Sequence, residues 1–184
     1  GVFRTWVLGG IFALVTYTGS ASAQLILSAS HTDASCNGAN NGTATAQITQ
    51  NGVAPFTYSW SPSGGTNATA TGLIAGTYTV TVTDNNGLQG TASTTVGQPE
   101  TLSGTQSQIN PVGGNNGSAT VVATGGTPGY TYSWTPSGGA AATATGLAPG
   151  QYSVTITDSK ACQTTLSYTL VAPAASVQSV SVPP

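Results

Sequence analysis

Polar and apolar residues alternate one by one along much of this chain, and they do so in two copies. From 56 to 60, Phe56, Tyr58 and Trp60 fall on one side, Thr57 and Ser59 on the other. From 77 to 83, Tyr78, Val80 and Val82 alternate with Thr77, Thr79, Thr81 and Thr83. A period of two is that of a strand with one buried and one wet face. Between the two runs lie a turn at Pro62-Ser63-Gly64-Gly65, the stretch Thr71-Gly72-Leu73, and a second turn closing at Gly76. The unit spanning 56–87 returns at 130–161, with Tyr130, Tyr132 and Trp134 on its first strand and Tyr152 opening the inward side of its second. The pattern predicts further strands at 25–30, at 43–48 with Ala44, Ala46 and Ile48 inward, and a last strand with Ala92, Thr94 and Val96 inward.

The register of the duplication is read residue by residue. Trp60 and Trp134, Leu73 and Leu147, Tyr78 and Tyr152, Asp84 and Asp158 are each 74 positions apart, whereas Gly42 and Gly117 are 75 apart. One residue is therefore gained or lost, and a surface turn between those points is the expected place. Ala92, Thr94 and Val96 become Leu166, Tyr168 and Leu170, so the second copy should hold the fuller core. Six or seven short strands per copy, separated by turn signals, predict an all-β chain of two tandem immunoglobulin-like β-sandwich repeats. The boundaries fall at 25–99 and 100–173, with Gln98-Pro99 as hinge. Phe56, Tyr58, Trp60, Tyr78, Tyr130, Tyr132, Trp134 and Tyr152 are the expected core aromatics.

The two ends carry their own signals. Residues 1–24 place Arg4 before an apolar run from Trp6 to Val15, then Ala21-Ser22-Ala23. That is the order of a secretory signal peptide, and the run is short for a membrane span. The rival reading is a retained apolar segment that packs subunits together. Either way the chain is expected outside the cytoplasm. Pro173 aligns with Pro99, so the tail, 174–184, resembles a first strand. It is either a frayed end or a donor strand for a neighbouring sheet.

Charge then removes whole classes of function. Of 184 residues, two are Lys or Arg and four are Asp or Glu, for a net charge of −2, with one histidine. Nucleic acid needs clustered cations to displace counterions, so it is not expected as a partner. An enzyme needs converging acids, bases or ligands, so neither catalysis, a small-molecule substrate nor a cofactor is expected. Asp84 and Asp158 sit in turns as Asx-type caps rather than calcium ligands, since calcium wants several carboxylates. His31 and Asp33 read as a solvated pair. Asn41, Asn67 and Asn116 stand in N-x-Ser/Thr sequons and are candidate glycosylation sites.

Cys36-Asn37-Gly38, Asn41 to Thr45, Pro55 to Trp60, Leu73, Gly76 to Asp84 and Gly87, with their counterparts, resemble the SprB-type repeat of Bacteroidetes cell-surface and gliding adhesins. The resemblance runs over nearly all of 30–172 and implies surface display, adhesion and no catalysis. It also implies a cysteine early in each repeat and one after the late Asp turn, apparently paired. Here the first repeat keeps Cys36 but has Leu88 at the late position. The second keeps Cys162 but has Pro111 at the early one. Two lone thiols are either free, small and buried, or in an oxidising compartment invite an intermolecular partner; an intrachain bridge is disfavoured where the repeats extend end to end and keep the Cα atoms apart. The expectation is an intersubunit disulfide, Cys162 of one subunit to Cys36 of the next, propagating head to tail.

The sequence thus points to an extracellular, cell-surface structural or adhesive protein. Its expected partners are further copies of itself in a head-to-tail homopolymer, other surface proteins, or glycans. The alternative is a carbohydrate-binding module that presents Trp60 and Trp134 as stacking platforms. Burial of those rings separates the two readings.

Overall fold

The computed structural model describes residues 24–174. The expectations for the apolar N-terminal segment and for a donor strand in the tail lie outside the described residues. The chain is all-β. The first repeat supplies β1 (Ile26–Thr32), β2 (Gly42–Gln50), β3 (Thr57–Ser61), β4 (Thr69–Leu73), β5 (Gly76–Thr83) and β6 (Gln89–Val96). The second supplies β7 (Ser103–Ile109), β8 (Gly117–Thr124), β9 (Thr131–Thr135), β10 (Thr143–Leu147), β11 (Gly150–Thr157) and β12 (Gln163–Leu170). Each repeat is two three-stranded antiparallel sheets, β1-β2-β4 over β3-β5-β6 and β7-β8-β10 over β9-β11-β12. This is the strand order of a constant-type immunoglobulin sandwich lacking its fourth strand.

The alternation decides which face is buried. Val80 and Val82 of β5, Ala44 and Ala46 of β2, Trp60 of β3, Ala70 and Leu73 of β4 and Val96 of β6 close into one core. The second core, built around Trp134, Val121, Val154, Ile156 and Tyr168, shares no residue with it. Both tryptophans are 6% exposed, and their indole N–H groups donate to the carbonyls of Asn67 (3.0 Å) and Ala141 (2.9 Å). Each ring lies over the Gly-Gly turn that follows it. A Cβ on Gly64 would come within 2.8 Å of both Trp60 and Ala70, and its φ of 132° is one that side chains rarely adopt. Tyr78 and Tyr152 are buried, their hydroxyls donating to the carbonyls four residues upstream, Ile74 (3.0 Å) and Ala148 (3.1 Å). This is the tyrosine corner of the immunoglobulin architecture. Phe56, Tyr58, Tyr130 and Tyr132 are half-buried and pack on the rims of the two cores.

Two features depart from expectation. Thr69–Leu73 and Thr143–Leu147 are strands, where the sequence suggested only a link between turns. A register shift between Ala70 and Leu73 puts both residues inward three positions apart, which hides the period of two. The extra residue of the first repeat is not in a turn either. β1 and β2 pair with a bulge, Ile26 facing Gln50 and Leu27 facing Ile48, where β7 and β8 pair without interruption. Thr49 is the unpaired residue.

The strand registers also fix the first strands, whose sequences barely match. Thr32 faces Thr43 and Ile109 faces Ser118, so β1 and β7 correspond at a spacing of 77. Leu27 thereby corresponds to Gly104. A Cβ on Gly90 would collide with Leu27, so Gly90 makes room for it. In the second repeat Leu166 fills the space over Gly104 instead, and Thr164 stands where Gly90 was. Volume is exchanged between facing strands. The larger residues of β12 are thus partly offset by a smaller β7. Tyr168 is a net gain, its ring centroid 5.2 Å from that of Trp134.

Edges and outer faces are managed without charge. β1 runs beside β6, with Ala34 N–H donating to Gly97 and His31 Nδ1 2.8 Å from the Thr94 hydroxyl. In the second repeat the Gln106 and Gln108 amides donate to the carbonyls of Ser167 (3.0 Å) and Thr169 (2.8 Å) on β12. Occupied edge groups leave less to template another strand. On the outer faces hydroxyls pair across strands, as in Thr77–Thr95, Thr79–Ser93, Thr45–Thr69, Thr120–Thr143 and Thr155–Thr165.

Trp60→Ala and Trp134→Ala should each cost about 3–5 kcal/mol of folding stability, the usual toll of emptying a large core site. Urea unfolding followed by far-ultraviolet circular dichroism measures this. A loss near the level of a surface substitution would mean the rings do not anchor their sandwiches.

Candidate functional site

The junction between the repeats is where the chemically distinctive residues collect. Because β1 and β6 run side by side in the same direction, the β1–β2 loop sits at the end of the first repeat from which the chain leaves. The β11–β12 turn sits at the end of the second repeat where the chain enters. These two features meet, and a disulfide joins Cys36 to Cys162 with their Cα atoms 5.8 Å apart. The expected intersubunit bridge is therefore corrected: both cysteines are used within one chain. The expectation treated the two repeats as placing their thiols far apart. The topology instead brings them within the distance a disulfide spans.

The connecting chain is held from both sides. Gly97 N–H donates to Asp33 Oδ1 (2.7 Å), Gly38 N–H to Gln98 Oε1 (2.8 Å), and Asn37 Nδ2 to the Pro99 carbonyl (3.1 Å). From the second repeat, Gly126 N–H donates to the Glu100 carbonyl (2.9 Å). Gln98-Pro99, expected as a hinge, is thus bonded to the first repeat through the Gln98 side-chain oxygen and the Pro99 carbonyl. A cleft of about 500 Å³ opens beside it, lined by Thr32, Asp33, Ser35 and Gln98 on one side and Thr127 and Lys160 on the other. His31 Nε2 lies 3.4 Å from Asp33 Oδ1, and both side chains are exposed.

The family comparison finds the SprB repeat at residues 28–65 and again at 103–139. The chain carries two tandem SprB repeats. Both matched stretches end in the Gly-Gly turn beneath the tryptophan, at Gly65 and Gly139. No curated protein matches the chain significantly. Among solved structures it is similar to a C-terminal fragment of intimin bound to the intimin-binding domain of its translocated receptor, at 16% identity and TM-score 0.42. That match covers 81% of this chain and 64% of the fragment. Domains 1–6 of the surface layer protein SbsC match at 16% identity and TM-score 0.39, over 84% of this chain and 29% of that one. A Dscam structure matches at 14% and 0.34, over 83% and 45%. The chain thus spans less than two thirds of each. At these scores the likenesses carry no argument about function. The SprB repeats themselves suggest an adhesive or structural, non-enzymatic role at the cell surface.

Within each SprB repeat the late Asp organises the turn that forms half of the junction. Asp158 Oδ1 accepts the N–H groups of Lys160 (2.8 Å) and Cys162 (2.9 Å), and Oδ2 that of Thr127 (2.8 Å). Asp84 does the same with Asn86, Leu88 and Val53. Asp158 therefore fixes the backbone of Cys162 and ties it to the Thr127 loop on the same wall of the cleft. Among the described residues, no group of His, Cys, Asp or Glu is placed to hold a metal. The early cysteine position also needs correction. At the strand spacing of 77, Pro111 is the counterpart of Ala34, not of Cys36, and both are buried. The β7–β8 loop is two residues shorter than the β1–β2 loop, and the cysteine-bearing stretch is what it lacks. Asn41, Asn67 and Asn116 are all exposed. Asn41 bonds Ser35 through both side-chain atoms, and Asn116 Oδ1 accepts from Val112 N–H.

Burial alone would raise the two aspartate pKa values, but the three backbone donors around each outweigh it and hold both carboxyls below the usual carboxylate range. A depressed folded pKa contributes stability that is present above the unfolded value and lost as pH falls through the folded one. Thermal melting should therefore be flat from neutrality down to about pH 4 and fall below it. Asp84→Asn with Asp158→Asn should lower the melting temperature at neutral pH and flatten the acid decline. A decline equally steep in the double variant would place its origin elsewhere.

Serine at both Cys36 and Cys162 should cost about 2–5 kcal/mol, because the bridge closes a long loop of the unfolded chain. Small-angle scattering should show a larger radius of gyration and a broader distribution of shapes than the bridged protein. An identical profile would show that the linker bonds suffice without the staple.

Proposed function

We propose that this chain is an extracellular, cell-surface structural and adhesive element: two sandwich modules, 25–99 and 100–173, held end to end as a spacer. The observation that carries this reading is the Cys36–Cys162 bridge across an already bonded linker. It ties together two modules that each have a complete core. A covalent bridge between modules limits how far they can separate, and it persists in an oxidising compartment. The outer faces, clad in paired hydroxyls, suit a part that stays hydrated with almost no charge. In this reading the modules present loops and sheet faces to other surface proteins and to further copies of the chain.

The competing carbohydrate-binding reading draws less support. It needs Trp60 and Trp134 as exposed platforms, and both rings are buried with their N–H groups bonded inward. Asn67 is the sequon with the freest side chain, and a glycan there belongs to the same proposal as an added hydrophilic coat.

The test is direct. Antibody raised against the recombinant chain should label intact cells, and brief protease treatment of those cells should remove the label. Deleting the gene should reduce attachment to surfaces or to other cells. A signal confined to lysed cells would overturn the placement. Unchanged attachment together with selective capture on a glycan array would favour the carbohydrate-binding module.

A further inference from the structure

The internal junction shows how one end of a repeat meets the other end of the next, and the same two surfaces recur at the outer ends of the described residues. The correspondence follows from strand register. On the exit end of the first repeat the cleft is lined by Thr32, Ser35 and Gln98, with Gly97 beside them. Their counterparts on the exit end of the second repeat are Ile109, Val112, Ala172 and Val171. On the entry end of the second repeat stand Thr127 and Lys160. Their counterparts on the entry end of the first are Val53 and Asn86.

Three polar positions of the exit end have thus become apolar, while Asp33 corresponds to the still polar Asn110; on the entry end Thr127 has become Val53 and Lys160 the polar Asn86. Val112 is 80% exposed, Ile109 67%, Val171 53% and Val53 48%. Among the described residues these are four of the seven large apolar side chains left exposed. Contiguous exposed apolar residues on a surface otherwise clad in hydroxyls mark a contact. Neither outer end carries a counterpart of these cysteines, since the shorter β7–β8 loop holds none and Leu88 stands at the Cys162 position.

We propose that the exit end of one chain, through Ile109, Val112 and Val171, docks on the entry end of a second copy, at Val53. The relation is the one the internal junction displays, with apolar contact in place of the disulfide. Such a contact is heterologous and propagates. The proposal deepens the surface-spacer reading by naming the self-association surface. It stands or falls separately, because surface display and attachment do not require it.

Sedimentation velocity of the full chain and two single variants decides the matter. The wild-type chain should associate with rising concentration. Val112→Asp and Val53→Asp, at exposed positions that leave the core intact, should each weaken association by about tenfold or more, since each buries an unpaired charge. Mixing the two variants is the sharper measurement. Each keeps the end that the other has lost, so the mixture should form a single heterodimer at wild-type affinity and stop there. Three outcomes would overturn the proposal: a monomer at every concentration, association unmoved by both substitutions, or a mixture that associates no better than its components. The last would indicate a symmetric contact instead.

Discussion

The bond between Cys36 and Cys162 depends on a chain of smaller constraints, and most of the junction can be read as meeting them. A disulfide needs its two Cα atoms within about 7 Å, so two loops from different modules must be held to that tolerance. Asp158 holds one of them by accepting the N–H of Cys162 itself. The other is held by Asn41, which bonds Ser35 beside the cysteine, and by the Gln98 and Pro99 contacts that tie the loop to the linker. The linker bonds come from side chains and backbone amides of the first repeat and from a backbone amide of the second. The bridge adds loop closure to these bonds.

The small cores make this joint worthwhile. Each sandwich has only six short strands and a buried set rich in alanine and valine. Units of this size bury a modest share of their surface and sit close to the margin of stability. Surface charge is almost absent, so it adds little. What remains is satisfaction of polar groups: tryptophan and tyrosine tips bonded to turn carbonyls, hydroxyls paired across strands, and among the described residues no buried side-chain polar atom left without a partner. A chain of threonine, serine, asparagine and glutamine can meet that requirement locally, strand by strand, without long-range ion pairs.

How far this was legible in the sequence depends on whether the signal was local. Strands β3 and β5 carry strict alternation around Trp60 and Tyr78, and the eye finds them and their copies at once. The strand Thr69–Leu73 hides because a bulge spaces its inward residues three apart. The spacing of 77 between β1 and β7 hides because those strands share almost no residue types. Only pairing against β2 and β8 reveals it. The same blind spot led to Pro111 being matched with Cys36. The disulfide was out of reach for another reason. Partner choice between two cysteines depends on which loops lie at which end of a sandwich, and that is a property of topology rather than of spacing along the chain. The acidic turn residues were the opposite case, since an Asx-turn is a local device and an aspartate before a glycine or its equivalent announces it.

Differences between the two copies follow the same logic. Ala68 to Leu73 and Ala142 to Leu147 are identical, because strand and turn there face the same neighbours in each repeat. Leu27, Gly90 and Ala92 differ from Gly104, Thr164 and Leu166, but as a set, since one large residue must fill the space between the facing strands in either copy. At the module ends the substitutions are not compensated within the repeat. Thr32 becomes Ile109 and Ser35 becomes Val112 with no matching loss of apolar surface nearby. Core positions see their own repeat, so their residues change only in concert. End positions lie outside that constraint, so residues there change without a partner change in the core. The polar set of the internal junction suits a neighbour held by a covalent bond. The apolar set at the outer ends suits one held by burial alone.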